Sequence, residues 1–111
     1  MSKYMHLTVT VLPYYQKDLE ETYPKLARNL RSLDSDLVER NPSLYAIAGQ
    51  LDKLLYAFDG TPVREVLLRH RENLQNLHKS IEENIADWNL AEADLLLYKI
   101  EDIFDKIEAG L

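Results

Sequence analysis

Apolar residues recur at helical spacing along most of this chain, and this rhythm limits the possible folds more than any other feature. Leu26, Leu30, Leu33 and Leu37 follow one another at intervals of four, three and four residues, which places them on one face of a helix. Three later segments repeat the pattern. The positions predicted to face inward there are Leu44, Ile47, Leu51, Leu54, Leu55 and Phe58; then Val63, Leu67, His70, Leu74, Leu77, Ile81, Ile85 and Trp88; and finally Ala93, Leu96, Leu97, Ile100, Ile103, Phe104 and Ile107.

Proline and glycine mark where the predicted helices begin and end. Pro24 and Pro62 suit the first turn of a helix, where the missing N–H would have no partner. Asn41-Pro42 ends one helix before the next begins, and Gly60 is typical of a C-terminal cap. Asn89-Leu90-Ala91-Glu92 resembles a capping box with asparagine as the cap. We therefore predict helices over 24–40, 43–58, 62 to about 87, and 90 to Gly110.

The first 22 residues fit two descriptions. Between residues 4 and 12, apolar and polar side chains alternate, which is typical of a strand. A lone strand would need an edge from a partner or from a second copy of the chain. Met5, Val9, Leu12 and Leu19 also share a helical face, and we favour a further helix. The sequence thus predicts an all-α fold: one domain over 1–111, an antiparallel bundle of four to five helices.

Composition excludes several classes of function. The 111 residues suffice for one domain, and 46% of them are hydrophobic, which is enough for a core. The chain has no cysteine and no apolar run long enough to cross a membrane, so we expect a cytoplasmic protein without a membrane partner. The formal net charge of −6 disfavours nucleic acid and favours a basic protein partner.

Histidines are the residues most readily assigned to chemistry, and their surroundings argue against it. His78 and Glu82, one helical turn apart, would supply two metal ligands where a stable site needs three or four. His78-Lys79-Ser80 is one residue short of the order typical of histidine phosphotransfer domains. We expect no metal, no cofactor and no catalytic residue.

A ribonuclease remains an alternative. Arg64 and His70 have five residues between them, and Arg71 and His78 have six, a spacing that resembles the Arg-His pair of HEPN ribonucleases. In such a pair, the arginine would stabilise developing charge while the histidine moves a proton. Without a catalytic role, the same residues would form a solvated basic face together with a histidine at the edge of the core.

Negative charge is concentrated in the last third of the chain. Residues 82–111 contain nine acids and two bases, for a net charge of −7, whereas residues 1–81 have a net charge of +1. On the last helix, side chains spaced by four, three, four and three residues form what we call the acidic stripe: Asp94, Tyr98, Glu101, Asp105 and Glu108. Like charges at this spacing repel one another, so the stripe mildly opposes folding.

Small size, absence of cysteine, acidity confined to one region and a helical fold together resemble certain bacterial immunity proteins. These proteins inhibit co-produced colicin-type or contact-dependent growth-inhibition toxins, many of which are basic nucleases. The resemblance covers the profile of the whole chain and no motif. It implies an inhibitor that offers acidic and tyrosine side chains to its toxin. A helical adaptor or homodimer is the alternative. The predicted partner-binding residues are Glu83, Asp87, Asp94, Tyr98, Glu101, Asp105 and Glu108.

Overall fold

The computed structural model describes residues 8–111, and the all-helical fold predicted from the sequence is confirmed for them. No strand occurs in this range. The helices are α1 (Leu19–Thr22), α2 (Pro24–Leu33), α3 (Ser35–Glu39), α4 (Leu44–Gly49), α5 (Leu51–Ala57), α6 (Pro62–Arg69), α7 (Arg71–Ala86) and α8 (Leu90–Gly110).

The described helices outnumber the predicted four to five because three predicted helices are each interrupted at one residue. At Asp34, between α2 and α3, the backbone is extended and the side chain accepts a hydrogen bond from the Asp36 amide at 3.0 Å. Aspartate readily makes such local bonds at the expense of helix. The other two interruptions are at Gln50 and His70. Leu67 and Leu74 are buried on either side of His70. The spacing of apolar residues therefore continues across this interruption and does not predict it.

Helix α8 lies at the centre of the bundle. It packs along α7 as a helical hairpin and also contacts α2, α4 and α6. Several side chains predicted to face inward on α6, α7 and α8 are buried, and Leu77 is half-buried against them. The buried ones include Leu67, Leu74, Ile81, Ile100 and Phe104.

The turn between α7 and α8 departs from the sequence prediction. Trp88 was predicted to face inward, but it has a left-handed backbone (φ 59°) and its side chain is 52% exposed. The Trp88 backbone N–H donates a hydrogen bond to the Ile85 carbonyl, and the Asn89 N–H donates one to the Asn84 carbonyl. In this pattern the left-handed position is usually occupied by glycine. The predicted capping box is also wrong, since the Asn89 side chain donates to Asn84 Oδ1 instead of accepting from α8.

The segment before α1 is neither helix nor strand over residues 8–15. The further helix predicted within the first 22 residues is therefore wrong for 8–18 and is found only as α1, while residues 1–7 lie outside the described range. Pro13 disfavours helical backbone at Leu12, whose side chain is exposed. Side chains fix the segment to the turn before α4: Tyr15 donates to the Pro42 carbonyl at 2.7 Å, and Asn41 accepts from the Leu19 amide at 2.9 Å.

Within the described residues, every helix is too short or too polar to cross a bilayer.

Candidate functional site

The acidic stripe of α8 is divided into two halves with different surroundings. Asp105 and Glu108, in the C-terminal half, make hydrogen bonds to distant parts of the chain. Asp94, Tyr98 and Glu101, in the N-terminal half, are exposed and line a groove. The sequence spacing predicts all five side chains on one helical face. In the folded chain, two of them bind other elements and three line the groove.

Glu108 caps a helix that is remote in sequence. Its two carboxylate oxygens accept hydrogen bonds from the backbone amides of Lys25 and Leu26, at 2.8 and 2.9 Å, at the start of α2. No side chain local to α2 caps these amides. A carboxylate also interacts favourably with the positive end of the helix dipole. Both oxygens are therefore engaged within the chain.

Replacing Glu108 with alanine should remove this cap and lower the free energy of unfolding by about 1–2 kcal/mol, because two helix N–H groups lose their acceptor. Urea unfolding followed by circular dichroism measures the change. Asp102→Ala is the matched control on the same helix, since Asp102 is exposed and has no hydrogen bond among the described side-chain contacts. Equal effects of the two changes would contradict the capping role.

Asp105 is the acceptor for a buried tyrosine. The Tyr23 hydroxyl donates to Asp105 Oδ1 at 2.8 Å, and the Tyr23 ring meets Phe104 edge-on, with ring centroids 6.3 Å apart. Burial, together with the bond to Asp105, raises the pKa of Tyr23 well above its ordinary value. Asp105 thus helps to hold α8 against the junction of α1 and α2.

The N-terminal half of the acidic stripe forms one wall of what we call the tyrosine groove, a cleft of about 800 Å³. The other walls come from residues 11–17, residues 21–23 and the start of α4. Five of the chain's seven tyrosines line it, which gives the cleft an amphipathic surface. They are Tyr14, Tyr15, Tyr23, Tyr45 and Tyr98.

The groove is negatively charged. Its lining includes the carboxylates of Glu21, Asp94 and Glu101 against the single ammonium of Lys17. Burial and the neighbouring carboxylates of Asp105, Asp102 and Asp94 raise the pKa of Glu101 above its ordinary value. All five ion pairs found between residues 8 and 111 lie outside segment 82–111. Among the described residues, the groove carboxylates of Asp94 and Glu101 therefore form no ion pair.

Glu83 and Asp87, also predicted to bind a partner, are exposed but do not line the groove. A smaller cleft of about 420 Å³ is lined instead by Glu82, Ile85 and residues 9–11. Tyr45 lines both clefts, and burial, with a smaller effect of Glu82, raises its pKa.

Tyr45 is held in place by His78. The two rings stack with centroids 4.3 Å apart and an angle of 11° between their planes. The histidine also lies against Gly49, one turn further along α4, where an added Cβ would stand 2.9 Å from His78 Nε2. Glycine at position 49 therefore leaves space for the ring that supports Tyr45.

A double-mutant cycle tests this packing. Gly49→Ala should lower the free energy of unfolding by about 1 kcal/mol in the native sequence, because His78 must move off Tyr45. In a His78→Ala background, the same change should raise it by about 0.5–1 kcal/mol, because alanine favours helix over glycine. Thermal or urea unfolding of the four proteins gives the coupling. The same sign in both backgrounds would contradict the contact.

The two Arg-His pairs compared above with HEPN ribonucleases do not line a described cleft. His70 and His78 line neither described groove. Arg71 donates to Asp52 at 3.1 Å, and Arg64 lies 3.8 Å from Asp59. Burial, with the charges of Lys106 and Arg69, lowers the pKa of His70. No cluster of three or more metal-ligating side chains occurs between residues 8 and 111.

Three residues of the acidic stripe predicted from the sequence, Asp94, Tyr98 and Glu101, form one wall of the groove, whereas the other walls were not predicted. Tyr15, Tyr23 and Tyr45 come from three separate elements and meet only in the folded chain. The paired Tyr14-Tyr15 and the high tyrosine content were the signals available in the sequence.

Comparisons of the chain with protein-family models, with curated proteins and with solved structures gave no match.

Proposed function

We propose that this protein binds a basic protein partner through the tyrosine groove and inhibits it, in the manner of a bacterial immunity protein. The observation that carries the proposal is the groove itself, where the carboxylates of Asp94 and Glu101, which form no ion pair within residues 8–111, face a cleft lined by five tyrosines. Tyrosine is enriched at protein interfaces because it buries a large rigid area and keeps a polar end. Asp94, Tyr98 and Glu101 are the central binding residues in this proposal.

Electrostatics favour a basic protein over nucleic acid. The net charge of −6 and the acidic groove would repel a polyanion and attract a cationic surface. Opposite potentials also accelerate association, to ~10⁸ M⁻¹s⁻¹ or faster, which an inhibitor of a harmful enzyme requires. We place this activity in the cytoplasm, where an immunity protein would meet its toxin.

Capture of the partner, followed by an assay of its activity, tests the proposal. The protein is immobilised and exposed to an extract of its native host. Bound proteins are then eluted with salt, identified and purified. We expect a basic protein whose enzymatic activity falls to background at a 1:1 ratio. A partner that is acidic, or that stays fully active when saturated, would contradict the inhibitor role.

A second candidate function is a homodimeric or adaptor bundle, and exposed apolar side chains near the α7–α8 turn favour it. Trp88, Leu90 and Leu95 are each between 43% and 57% exposed. Sedimentation at several concentrations distinguishes the two functions. A stable dimer that captures no basic protein would place this candidate first.

A further inference from the structure

Four side chains of the tyrosine groove, Tyr15, Tyr23, Asp94 and Glu101, offer a ligand only hydrogen-bond acceptors. The hydroxyl hydrogens of Tyr15 and Tyr23 are already donated, to the Pro42 carbonyl at 2.7 Å and to Asp105 at 2.8 Å. Each oxygen therefore has only lone pairs left for a further partner. The carboxylates of Asp94 and Glu101 on the same lining are acceptors as well.

Aromatic surface is the second feature of the groove. Asp94 and Glu101 are two helical turns apart on α8, ~10 Å along its axis, with Tyr98 between them. The Tyr98 side chain is 58% exposed, so its ring is accessible from the groove. A cation that enters between the two carboxylates therefore meets an aromatic ring as well as negative charge.

From these two features we infer that the tyrosine groove binds an arginine side chain of a basic protein. Guanidinium is planar, has five N–H donors and no acceptor, and stacks on aromatic rings. It thus complements a cleft that combines acceptors with tyrosine rings. The cleft volume, about 800 Å³, lies within the ~300–1,000 Å³ typical of ligand sites.

The chemistry of the groove sets an order of preference among side chains. Lysine has the charge but is a compact, strongly hydrated ammonium that stacks poorly, so it should bind more weakly than arginine. Citrulline keeps the planar shape without the charge and should bind more weakly still. This inference rests on the proposed function for its choice of a protein ligand, but its test needs no native partner.

Synthetic peptides test the inference with the full-length protein. Three unstructured Gly-Ser peptides contain spaced arginines, lysines or citrullines and are otherwise identical. Affinities come from NMR titration, in which the tyrosine ring signals report the site. We expect the arginine peptide to bind roughly tenfold more tightly than the lysine peptide, with shifts at Tyr15 and Tyr98, and the citrulline peptide not to bind measurably.

Variants locate the site. Glu101→Gln keeps the shape of the side chain and should weaken arginine-peptide binding by roughly tenfold, whereas Glu65→Gln, an exposed acid on α6, should leave it within about twofold. Circular dichroism checks that both variants fold. Equal affinity for the arginine and lysine peptides, or shifts confined to residues outside the groove, would overturn the inference. So would self-association that blocks peptide binding, because a second copy would then be the occupant.

The two proposals fail separately. If a basic partner is captured and inhibited while the arginine peptide shows no preference, the proposed function stands and the arginine site is wrong. If the arginine peptide binds as expected but no basic partner is inhibited, the groove recognises arginine and the inhibitor role is wrong.

Discussion

Phe104→Ala should lower the free energy of unfolding by ~3–5 kcal/mol. Phe104 is fully buried on α8, the helix that contacts α2, α4, α6 and α7, and its ring packs against Tyr23. Removing the ring leaves a cavity at the point where these helices meet, and close-packed surroundings fill such a cavity only in part. Urea unfolding followed by circular dichroism measures the loss as a shift of the midpoint at constant slope.

Leu95→Ala is the control for this prediction. Leu95 is on the same helix but 57% exposed, so its truncation should change the stability by less than about 1 kcal/mol. A loss below 1 kcal/mol for Phe104→Ala, or equal losses for the two variants, would show that the helix is packed in a different phase.

Reversing two charges of the groove should have the largest effect on partner binding. We expect Asp94→Lys combined with Glu101→Lys to lower the affinity for the captured basic partner by roughly 10²–10³-fold. The reason is that like charges would then face each other across a desolvated surface. The free energy of unfolding should change by less than about 1 kcal/mol, since both side chains are exposed and neither forms an ion pair among the described residues. Isothermal titration calorimetry measures the affinity.

The control must change the charge equally at a distance from the groove. Glu65→Lys with Glu72→Lys meets this requirement, because both residues are exposed and neither lines a described groove. The acids of α1 are unsuitable, since Asp18 caps that helix and Glu21 lines the groove. Equal losses for the two double variants would mean that affinity depends on net charge alone.

Salt separates the two kinds of contact in the groove. The loss caused by the double charge reversal should shrink at high ionic strength, because exposed charges are screened beyond a few ångströms. Tyr98→Ala removes buried area and ring contacts, so its loss should persist at the same salt concentration. A Tyr98→Ala loss that disappears in high salt would contradict direct packing of the ring against the partner.

Local sequence patterns were sufficient to predict the class of fold and most of the core, although Leu33, predicted to face inward, is exposed. Side chains at helical spacing, such as Leu74, Ile81 and Phe104, are fully buried because each helix must hide one apolar face. The interruptions at Asp34 and His70 escaped prediction, because the apolar rhythm continues across them. The exposure of Trp88 was not predicted either, because apolar periodicity does not indicate which residue adopts the left-handed backbone after α7.

The groove could be predicted only in part, because it depends on contacts between residues far apart in the chain. Glu108 appeared to be one more exposed acid, yet it caps α2 more than 80 residues earlier. Tyr23 reaches Asp105 over a similar separation. Such long-range hydrogen bonds leave no periodic signal, and they decide which acids of the stripe remain open.

The most direct test of the groove as the binding face is NMR of the protein with its purified basic partner at increasing ratios. We expect the tyrosine ring signals of Tyr14, Tyr15 and Tyr98 to shift or broaden on binding, together with the backbone amides of residues 11–17, while the exposed face of α2 and α3 is unchanged. Perturbations centred on α2 and α3, or tyrosine signals that do not change at saturation, would contradict the proposed site.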